Sequence, residues 1–301
     1  MKRHILVLAT VLLFLLFGLV VHTNAGSHQK SDSKKPLYFS LIPKKNVDQQ
    51  LNELAPLLEL LEDKLNRPVK IIRPQSYTAV IEGVLSETID LAILGPASYA
   101  KARARDLRVQ AFASFARKKG FSTPQGSFYH SILFTLEKTG IREIEGLKKR
   151  KIALTDPAST SGAVIPNLAF SETLGASLKE YFGTLIYTGS HDRSIRSVVR
   201  GHVDGAFVSS ARLDEAVQNK VILPDQVVIL WRSKPIHYDP FVFSGAVEPS
   251  LRAQIKQIFF SSSPRLDTML ENMKMTGLVK VCDEDYNSIH KIVGMGSQGA
   301  L

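Results

Sequence analysis

Three consecutive hydroxyl residues, Ser159, Thr160 and Ser161, are the part of the 301-residue sequence best suited to chemistry. They follow the apolar segment 152–154 and precede Gly162, a pattern that predicts a buried strand turning into a helix. The first N–H groups of a helix are unpaired, and its dipole favours negative charge there. Because the hydroxyls add further donors, the segment suits a tetrahedral oxyanion, although an ordinary capping cluster has the same residues.

A hydrolytic reading would combine Ser159 or Ser161 with His191 and with Asp192 or Asp239. It needs a nucleophile elbow such as Gly-x-Ser-x-Gly, which flanks neither serine. The sequence also lacks His-Glu-x-x-His, clustered cysteines and histidines, and a glycine-rich phosphate loop ending in lysine. We therefore predict no catalysis, no metal, no cofactor and no nucleoside triphosphate.

Two segments of the chain, 76–94 and 190–208, have a similar sequence pattern, an internal echo. Ser76 lies fourteen positions before Asp90, and Ser190 lies fourteen positions before Asp204; each aspartate sits in an apolar run. Each stretch predicts a serine N-cap, a helix of about three turns and a buried strand. Chance or recurrent βαβ architecture could also produce the match. If it is real, two similar lobes each present a helix N-terminus at the cleft where open α/β sheets bind ligands.

The elements that must position these residues alternate between strand and helix. Apolar runs and three- and four-residue periodicity predict strands at 37–42, 69–72, 89–94, 151–154, 185–187, 203–208 and 227–231, and helices at 48–65, 76–86, 162–174 and 192–200. From Pro249 onward the chain is predicted to be mainly helical. The alternation indicates an α/β fold with βαβ units and a largely parallel sheet.

The N-terminus differs from the rest of the chain. Lys2 and Arg3 precede an apolar run over 5–21, and small residues follow it, which predicts a signal peptide over 1–25 cleaved after Ala25. An uncleaved membrane anchor is the alternative. Residues 26–36 are polar and small and predict a flexible leader. Cys282 is the only cysteine, so neither a lipid anchor after the apolar run nor an internal disulfide is expected.

The formal net charge of +10 favours anionic partners. Nucleic acid is not predicted, because the basic residues are scattered and no binding motif accompanies them.

Four segments together resemble the phosphate-, phosphite- and phosphonate-binding proteins of ABC transporters: 76–83 (SYTAVIEG), 89–100 (IDLAILGPASYA), 155–162 (TDPASTSG) and 188–192 (TGSHD). The resemblance implies a type II-like, two-lobed periplasmic binding protein fold with the ligand in the cleft between the lobes. It places two crossovers near 128–134 and 230–240, with one lobe at 37–128 plus 235–301 and the other at 129–234.

The resemblance also implies a function. The chain is expected to be the periplasmic, monomeric substrate-binding component of an ABC importer, with a small phosphorus oxyanion and a membrane permease as partners. A ligand-sensing protein of the same fold, or a site for another tetrahedral oxyanion, is the alternative.

Carried over position by position, the resemblance assigns the ligand to the 159–161 turn, Tyr77, Tyr129, His191 and Asp239. Tyrosines donate hydrogen bonds from a stiff, partly apolar wall, and histidine donates as a neutral ring or, more strongly, when protonated. A carboxylate tolerates an oxyanion only when it accepts a hydrogen bond from a protonated oxygen or an ammonium group. Alone, Asp239 could equally stabilise a turn before its proline.

Two further expectations concern the cleft. Ser98, at the carboxyl end of the first-lobe strand, could donate to the ligand or cap a helix. Members of the family that bind aminoalkylphosphonates carry an acidic residue in the region 209–212, where this chain has Ala211. The expected ligand is therefore a small protonated anion such as phosphite or hydrogenphosphate.

Overall fold

The structure, a computed structural model, describes residues 34–298. The predicted signal peptide (1–25) and all but the last residues of the predicted leader lie outside the described residues. Within 34–298, no helix combines the length and the apolar character needed to cross a membrane.

The described chain alternates strands and helices, as predicted. The strands are β1 (Leu37–Leu41), β2 (Val69–Ile71), β3 (Leu91–Ile93), β4 (Gln110–Arg117), β5 (Phe128–Tyr129), β6 (Ser131–Leu136), β7 (Lys151–Leu154), β8 (Thr184–Tyr187), β9 (Gly205–Ser209), β10 (Val227–Arg232), β11 (Ile236–His237), β12 (Phe241–Phe243) and β13 (Met275–Lys280). The α-helices are α1 (Val47–Leu65), α2 (Tyr77–Leu85), α3 (Pro96–Arg105), α4 (Ser171–Leu174), α5 (Leu178–Tyr181), α6 (His191–Val199), α7 (Ser210–Gln218), α8 (Pro249–Phe259), α9 (Pro264–Asn272) and α10 (Asn287–Gln298).

Two sheets form the centres of two lobes. The six-stranded sheet of the first lobe has the order β13-β4-β12-β3-β1-β2, and the five-stranded sheet of the second lobe has the order β10-β6-β9-β7-β8. Between them, β5 and β11 pair antiparallel, with Tyr129 opposite Ile236 and Phe128 opposite His237. This two-stranded ladder confirms the predicted two-lobed fold with two crossovers.

The sheets are mixed, so the prediction of a largely parallel sheet is wrong. β1 runs parallel to β2 and β3, but β12 runs antiparallel to β3, and β6 runs antiparallel to β9. A strand that follows a crossover begins at the edge facing the other lobe, where the strands of βαβ units end. It must therefore run opposite to them.

The periodic segments fold as expected, and the C-terminal prediction is only partly right. Helix α1 buries its leucine stripe and is capped at its N-terminus by Asn46, whose side chain accepts from Gln49 N at 2.9 Å. After Pro249 the chain forms helices α8, α9 and α10. Between α9 and α10 it forms β13, an edge strand that pairs antiparallel with β4. β13 is only half-buried, so its sequence carries weak alternation and its pairing with β4 decides its conformation.

The predicted helix over 162–174 is irregular. It begins with π-helical turns at Thr160–Val164 and Pro166–Phe170 and becomes α-helical only at α4. Pro166 has no N–H to donate to the carbonyl of Ser161, which accepts from the hydroxyl of Ser131 at 2.7 Å instead. This bond fixes the hydroxyl turn to the first residue of β6.

The echo between the two lobes is real. Ser76 and Ser190 adopt nearly identical extended conformations, and each side chain accepts from the N–H three positions on, at 3.1 Å and 3.3 Å. The helices that follow, α2 and α6, have the same length of 9 residues. Both lobes therefore direct an equivalent capped helix at the cleft.

The two aspartates of the echo make equivalent hydrogen bonds to a neighbouring strand. Asp90 accepts from Tyr38 N at 2.8 Å, and Asp204 accepts from Lys151 N at 2.9 Å, so each carboxylate binds the start of the neighbouring strand. The backbone N–H of each aspartate also donates to the carbonyl of that same residue.

Replacing Asp90 or Asp204 by alanine should lower the free energy of unfolding by about 1–3 kcal/mol, since a bond from a backbone donor to a charged acceptor is lost. Urea unfolding measures this change. Asp225→Ala in an exposed turn is the matched control and should be near neutral. Equal effects of all three substitutions would contradict the shared role.

Candidate functional site

A cavity lies between the lobes, at the edge where the strands of both βαβ series end. The cavity is small, with a volume of about 20 Å³, so it suits a ligand of few atoms. Its lining consists of Ile42, Lys44, Tyr77, Gly95, Tyr129, Ser159, Thr160, Ser161, His191, Ser209, Arg212, Tyr238 and Asp239. Every site residue expected from the sequence is among them except Ser98.

The hydroxyl turn forms one wall of the cavity. Ser159 is the N-cap, and its side chain accepts from Gly162 N at 3.2 Å. Gly162 has no space for a side chain, because a Cβ would lie 2.0 Å from Thr155 Oγ1. Thr160 Oγ1 accepts from Ala97 N of the first lobe at 2.8 Å, which leaves the hydroxyl proton to donate elsewhere.

His191 faces the cavity as a neutral donor. Its Nδ1 accepts from Ser209 N at 3.2 Å, so the ring proton is on Nε2, which lies 3.5 Å from Ser159 Oγ beside the cavity. Burial first, and then the positive charges of Arg212 and Lys44, lower the pKa of His191 to about 3. The structure thus selects the neutral ring over the protonated one.

Tyr77 and His191 occupy equivalent positions in the echo. Each is the first residue of its helix, α2 or α6, and each lines the cavity. Their backbone N–H groups both donate across the cleft: Tyr77 to Asp156 Oδ2 at 3.4 Å, and His191 to the carbonyl of Lys44 at 3.2 Å. The repeat therefore supplies one donor side chain and one bridging contact from each lobe.

The tyrosine hydroxyls remain protonated donors. Burial first, and then the charge of Asp239, raises the pKa of Tyr77 and of Tyr129 well above the ordinary value. The Tyr77 hydroxyl is buried near Ser159, but it makes no hydrogen bond of ordinary length and angle with any described residue. A buried hydroxyl costs free energy when it is unpaired, so this group is suited to donate to a ligand oxygen.

Two cations of the cavity were missed from the sequence. Lys44 follows the carboxyl end of β1, and Arg212 lies in the first turn of α7. Lys44 Nζ pairs with Asp239 Oδ2 at 2.6 Å, and both side chains are only 10% exposed. The position of Lys44 just beyond β1 was the available signal, since ligands bind beyond the carboxyl ends of strands.

The region after β9 contributes a cation instead of a carboxylate. Ala211 is fully buried in the apolar core, and the next residue, Arg212, lines the cavity and pairs with Glu215. Burial opposes the charged form of Arg212, but nearby Glu215 and other negative groups raise its pKa above the ordinary value. The region 209–212 therefore lacks the acidic residue expected in proteins that bind aminoalkylphosphonates, and it also places a cation, Arg212, at the cavity.

Tyr238 was also missed. Its ring lies under Lys44 Nζ at 5.5 Å and lines the cavity. Burial works to raise the pKa of Tyr238, but the positive charges of Arg212, Lys44 and Arg117 together lower it. Tyr238 therefore lies near more positive than negative side chains.

Ser98 is placed elsewhere. Its hydroxyl is fully buried and donates to the carbonyl of Ala158 in the second lobe at 3.0 Å. With the Ala97–Thr160 bond, this contact shows that the lobes are closed around the cavity.

The site holds donors on several sides, two cations and one carboxylate that is already paired. Hydroxyls, a neutral imidazole N–H and cations are the groups that replace the water around a small anion. Within 34–298, no group of His, Cys, Asp or Glu side chains is arranged to hold a metal ion.

A two-lobed fold closed on such a cavity defines an anion-binding protein of the periplasmic binding protein class. A sequence profile of the family described as "ABC transporter, phosphonate, periplasmic substrate-binding protein" matches residues 39–286, and the chain belongs to this family. The family consists of transport proteins, not of enzymes.

Among the relatives, the phosphate-import protein PhnD of Mycolicibacterium smegmatis is 23% identical over 271 residues, which cover 84% of each chain. The phosphonates-binding periplasmic protein of Escherichia coli is 23% identical over 248 residues, 80% of this chain and 71% of that protein.

Solved structures share the fold at lower identity. A binding protein component of an ABC phosphonate transporter from Pseudomonas aeruginosa has a TM-score of 0.77 at 18% identity, covering 85% of each chain. A PhnD protein of Prochlorococcus marinus in complex with methylphosphonate has a TM-score of 0.76 at 19% identity, covering 87% of this chain and 98% of that one.

Because His191 titrates near pH 3 when folded and near pH ~6.5 when unfolded, the unfolded chain binds more protons between these values. Its contribution to stability is therefore present above pH ~6.5 and is lost as the pH falls toward 3. Between about pH 7 and about pH 5, wild type should lose about 2 kcal/mol more stability than His191→Gln. Urea unfolding at both pH values measures the difference, and parallel losses would contradict the buried neutral ring.

Proposed function

We propose that this protein captures a small phosphorus oxyanion (phosphite, phosphate or a short phosphonate) in the periplasm and delivers it to the membrane permease of an ABC importer. The observation that supports this most directly is the closed cavity itself. There the 159–161 turn and the Nε2–H of His191 converge with the cations Lys44 and Arg212. The names of the relatives point to the same chemistry, since one imports phosphate and another binds methylphosphonate.

The charges of the cavity argue against an aminoalkyl tail. Asp239 is the only carboxylate among the described lining residues, and Lys44 already pairs with its Oδ2. An ammonium group would instead meet the guanidinium of Arg212 and the ammonium of Lys44. The unfavourable contact would select against such ligands.

The charges also favour a protonated ligand. With Oδ2 engaged by Lys44, Asp239 can offer Oδ1 as an acceptor beside the anion. A P–OH group would donate there, whereas a fully deprotonated oxygen would be repelled. Hydrogenphosphite, hydrogenphosphate and hydrogen methylphosphonate satisfy this requirement.

The remaining expectations stay predictions: the lobe boundaries at 37–128 plus 235–301 and 129–234, cleavage after Ala25, and the monomeric state. The antiparallel ladder of β5 and β11 supports the lobe boundaries, because it marks where the chain passes between the sheets.

Calorimetric titration should show binding of phosphite, phosphate or methylphosphonate, weaker binding of 2-aminoethylphosphonate, and still weaker binding of sulfate. Sulfate offers no P–OH proton to Asp239, and the amine meets two cations. Binding of 2-aminoethylphosphonate above all the others would contradict the assignment of Arg212. If sulfate binds best, the ligand class is wrong.

Replacing Thr160 by valine should weaken binding of the preferred anion by about 1–3 kcal/mol, because a donor to a charged group is lost from the cavity. Thr160→Ser keeps the hydroxyl and should restore most of the affinity. Thr173→Val, which removes an exposed hydroxyl bonded to the carbonyl of Ala169, is the control and should leave the titration unchanged. Unchanged affinity in Thr160→Val would show that the 159–161 turn only caps a helix and does not bind the anion.

A further inference from the structure

An ionic cluster beside the cavity joins the two lobes. Lys45, the residue after the cavity cation Lys44, donates to Glu53 of its own lobe at 2.7 Å and to Glu215 of the second lobe at 2.6 Å. Glu215 lies on α7, and its second carboxylate oxygen pairs with Arg212 one turn earlier. A continuous chain of charged side chains thus runs from Arg212 at the cavity through Glu215 of the second lobe to Lys45 and Glu53 of the first.

The cluster is shielded from solvent. The side chains of Lys45 and Arg212 are 5% and 7% exposed, and those of Glu53 and Glu215 are 16% and 20% exposed. Salt screens buried pairs much less than exposed ones. Burial works against ionisation of Glu215, but the cations Arg212 and Lys45 outweigh it and lower the pKa of this carboxyl to about 2. Glu215 is therefore charged throughout the physiological pH range.

Opening the cleft would break only one contact of this cluster. The Lys45–Glu53 pair lies within the first lobe, and the Arg212–Glu215 pair lies within one helix of the second lobe. Each separated half therefore keeps a cation with its own carboxylate. A buried charge left without a partner is strongly destabilising, and this arrangement avoids that cost on both sides. The Lys45–Glu215 contact can form and break reversibly.

We infer that Glu215 is a positioning residue that couples anion capture to closure of the cleft. It holds the Arg212 guanidinium at the cavity and, through Lys45, ties the second lobe to the first only when the lobes are closed. The inference rests on the proposed function, since it concerns how the anion is retained. It assigns a role in binding to Lys45 and Glu215, neither of which lines the cavity.

Coupling of this kind acts on dissociation. The anion enters the open cleft before Lys45 and Glu215 meet, so the association rate depends little on their contact. The contact must break before the anion can leave, and loss of a buried charge pair raises the dissociation rate. A purely structural role would instead lower the melting temperature of the ligand-free protein.

The test is stopped-flow binding kinetics and calorimetry with methylphosphonate, phosphite and phosphate on Lys45→Met, Glu215→Gln and the double variant. Lys45→Met should raise the dissociation rate about ten-fold, equal to about 1.4 kcal/mol, with an association rate within about three-fold of wild type. The double variant should dissociate no faster than the faster single variant, because the two side chains act through one contact. The melting temperature of ligand-free Lys45→Met should match that of wild type, because Glu215 keeps Arg212 and Glu53 keeps its hydrogen bond from Gln49. Glu215→Gln removes the carboxylate partner of the buried Arg212 and should lower the melting temperature.

Glu53→Gln is the matched control. It removes the partner of Lys45 in the same lobe and leaves the contact between the lobes, so dissociation should be as slow as in wild type or slower. If Glu53→Gln accelerates dissociation as much as Lys45→Met does, the placement of the Lys45 loop matters and the contact with Glu215 does not. That result would overturn the inference, as would multiplicative effects in the double variant or unchanged dissociation rates.

Failure of this inference is distinguishable from failure of the proposed function. If wild type binds none of the three anions, the proposed ligand class is wrong. If wild type binds but Lys45→Met and Glu215→Gln release the anion at the wild-type rate, the ligand class stands and the coupling role of Glu215 falls.

Discussion

Removing a small anion from water is the constraint on which the rest of this structure depends. The free energy lost is large unless donors and cations replace the hydration shell on every side. One lobe cannot surround a ligand that must also enter and leave, so the replacement is divided between two. Of the residues that line the cavity, Tyr77, Lys44 and Asp239 come from the first lobe, and the 159–161 turn, His191 and Arg212 come from the second.

The echo between the lobes places a donor side chain at the cavity from each lobe with the same local structure. In each lobe a serine caps a helix whose first residue faces the cavity, and an aspartate pins the strand beyond it. The first residue differs, a tyrosine in one lobe and a histidine in the other, so the same backbone device supplies two chemically different donors. Tautomer and protonation state follow from the surroundings: the backbone N–H of Ser209 fixes the tautomer of His191, and burial together with two neighbouring cations keeps the ring neutral.

Polar contacts join the lobes near the cavity, and apolar side chains of the second lobe, among them Val164, Ile165 and Ala211, pack in the same core cluster as first-lobe residues. Ala97 to Thr160, Ser98 to Ala158 and His191 to Lys44 are hydrogen bonds that water can replace when the cleft opens. The cations of the cavity keep partners in their own lobes: Lys44 pairs with Asp239 in the first lobe, and Arg212 pairs with Glu215 in the second.

The sequence by itself determined the local features: the strands and helices of the βαβ units, the serine caps, the hydroxyl turn and the histidine and tyrosines of the cleft. These depend on apolar periodicity, capping and family motifs, which act over a few residues. Only the tertiary structure decided that β6 and β12 run antiparallel to their neighbours, that β13 is a strand, and that Ser98 contacts the other lobe. It also brought Lys44 to Asp239, 195 positions away along the chain, and placed Arg212 in the cavity while Ala211 packs in the core. The physical reason is that a charge in a loop or a first helical turn has no periodic signature, and its partner is fixed only when two lobes close on each other.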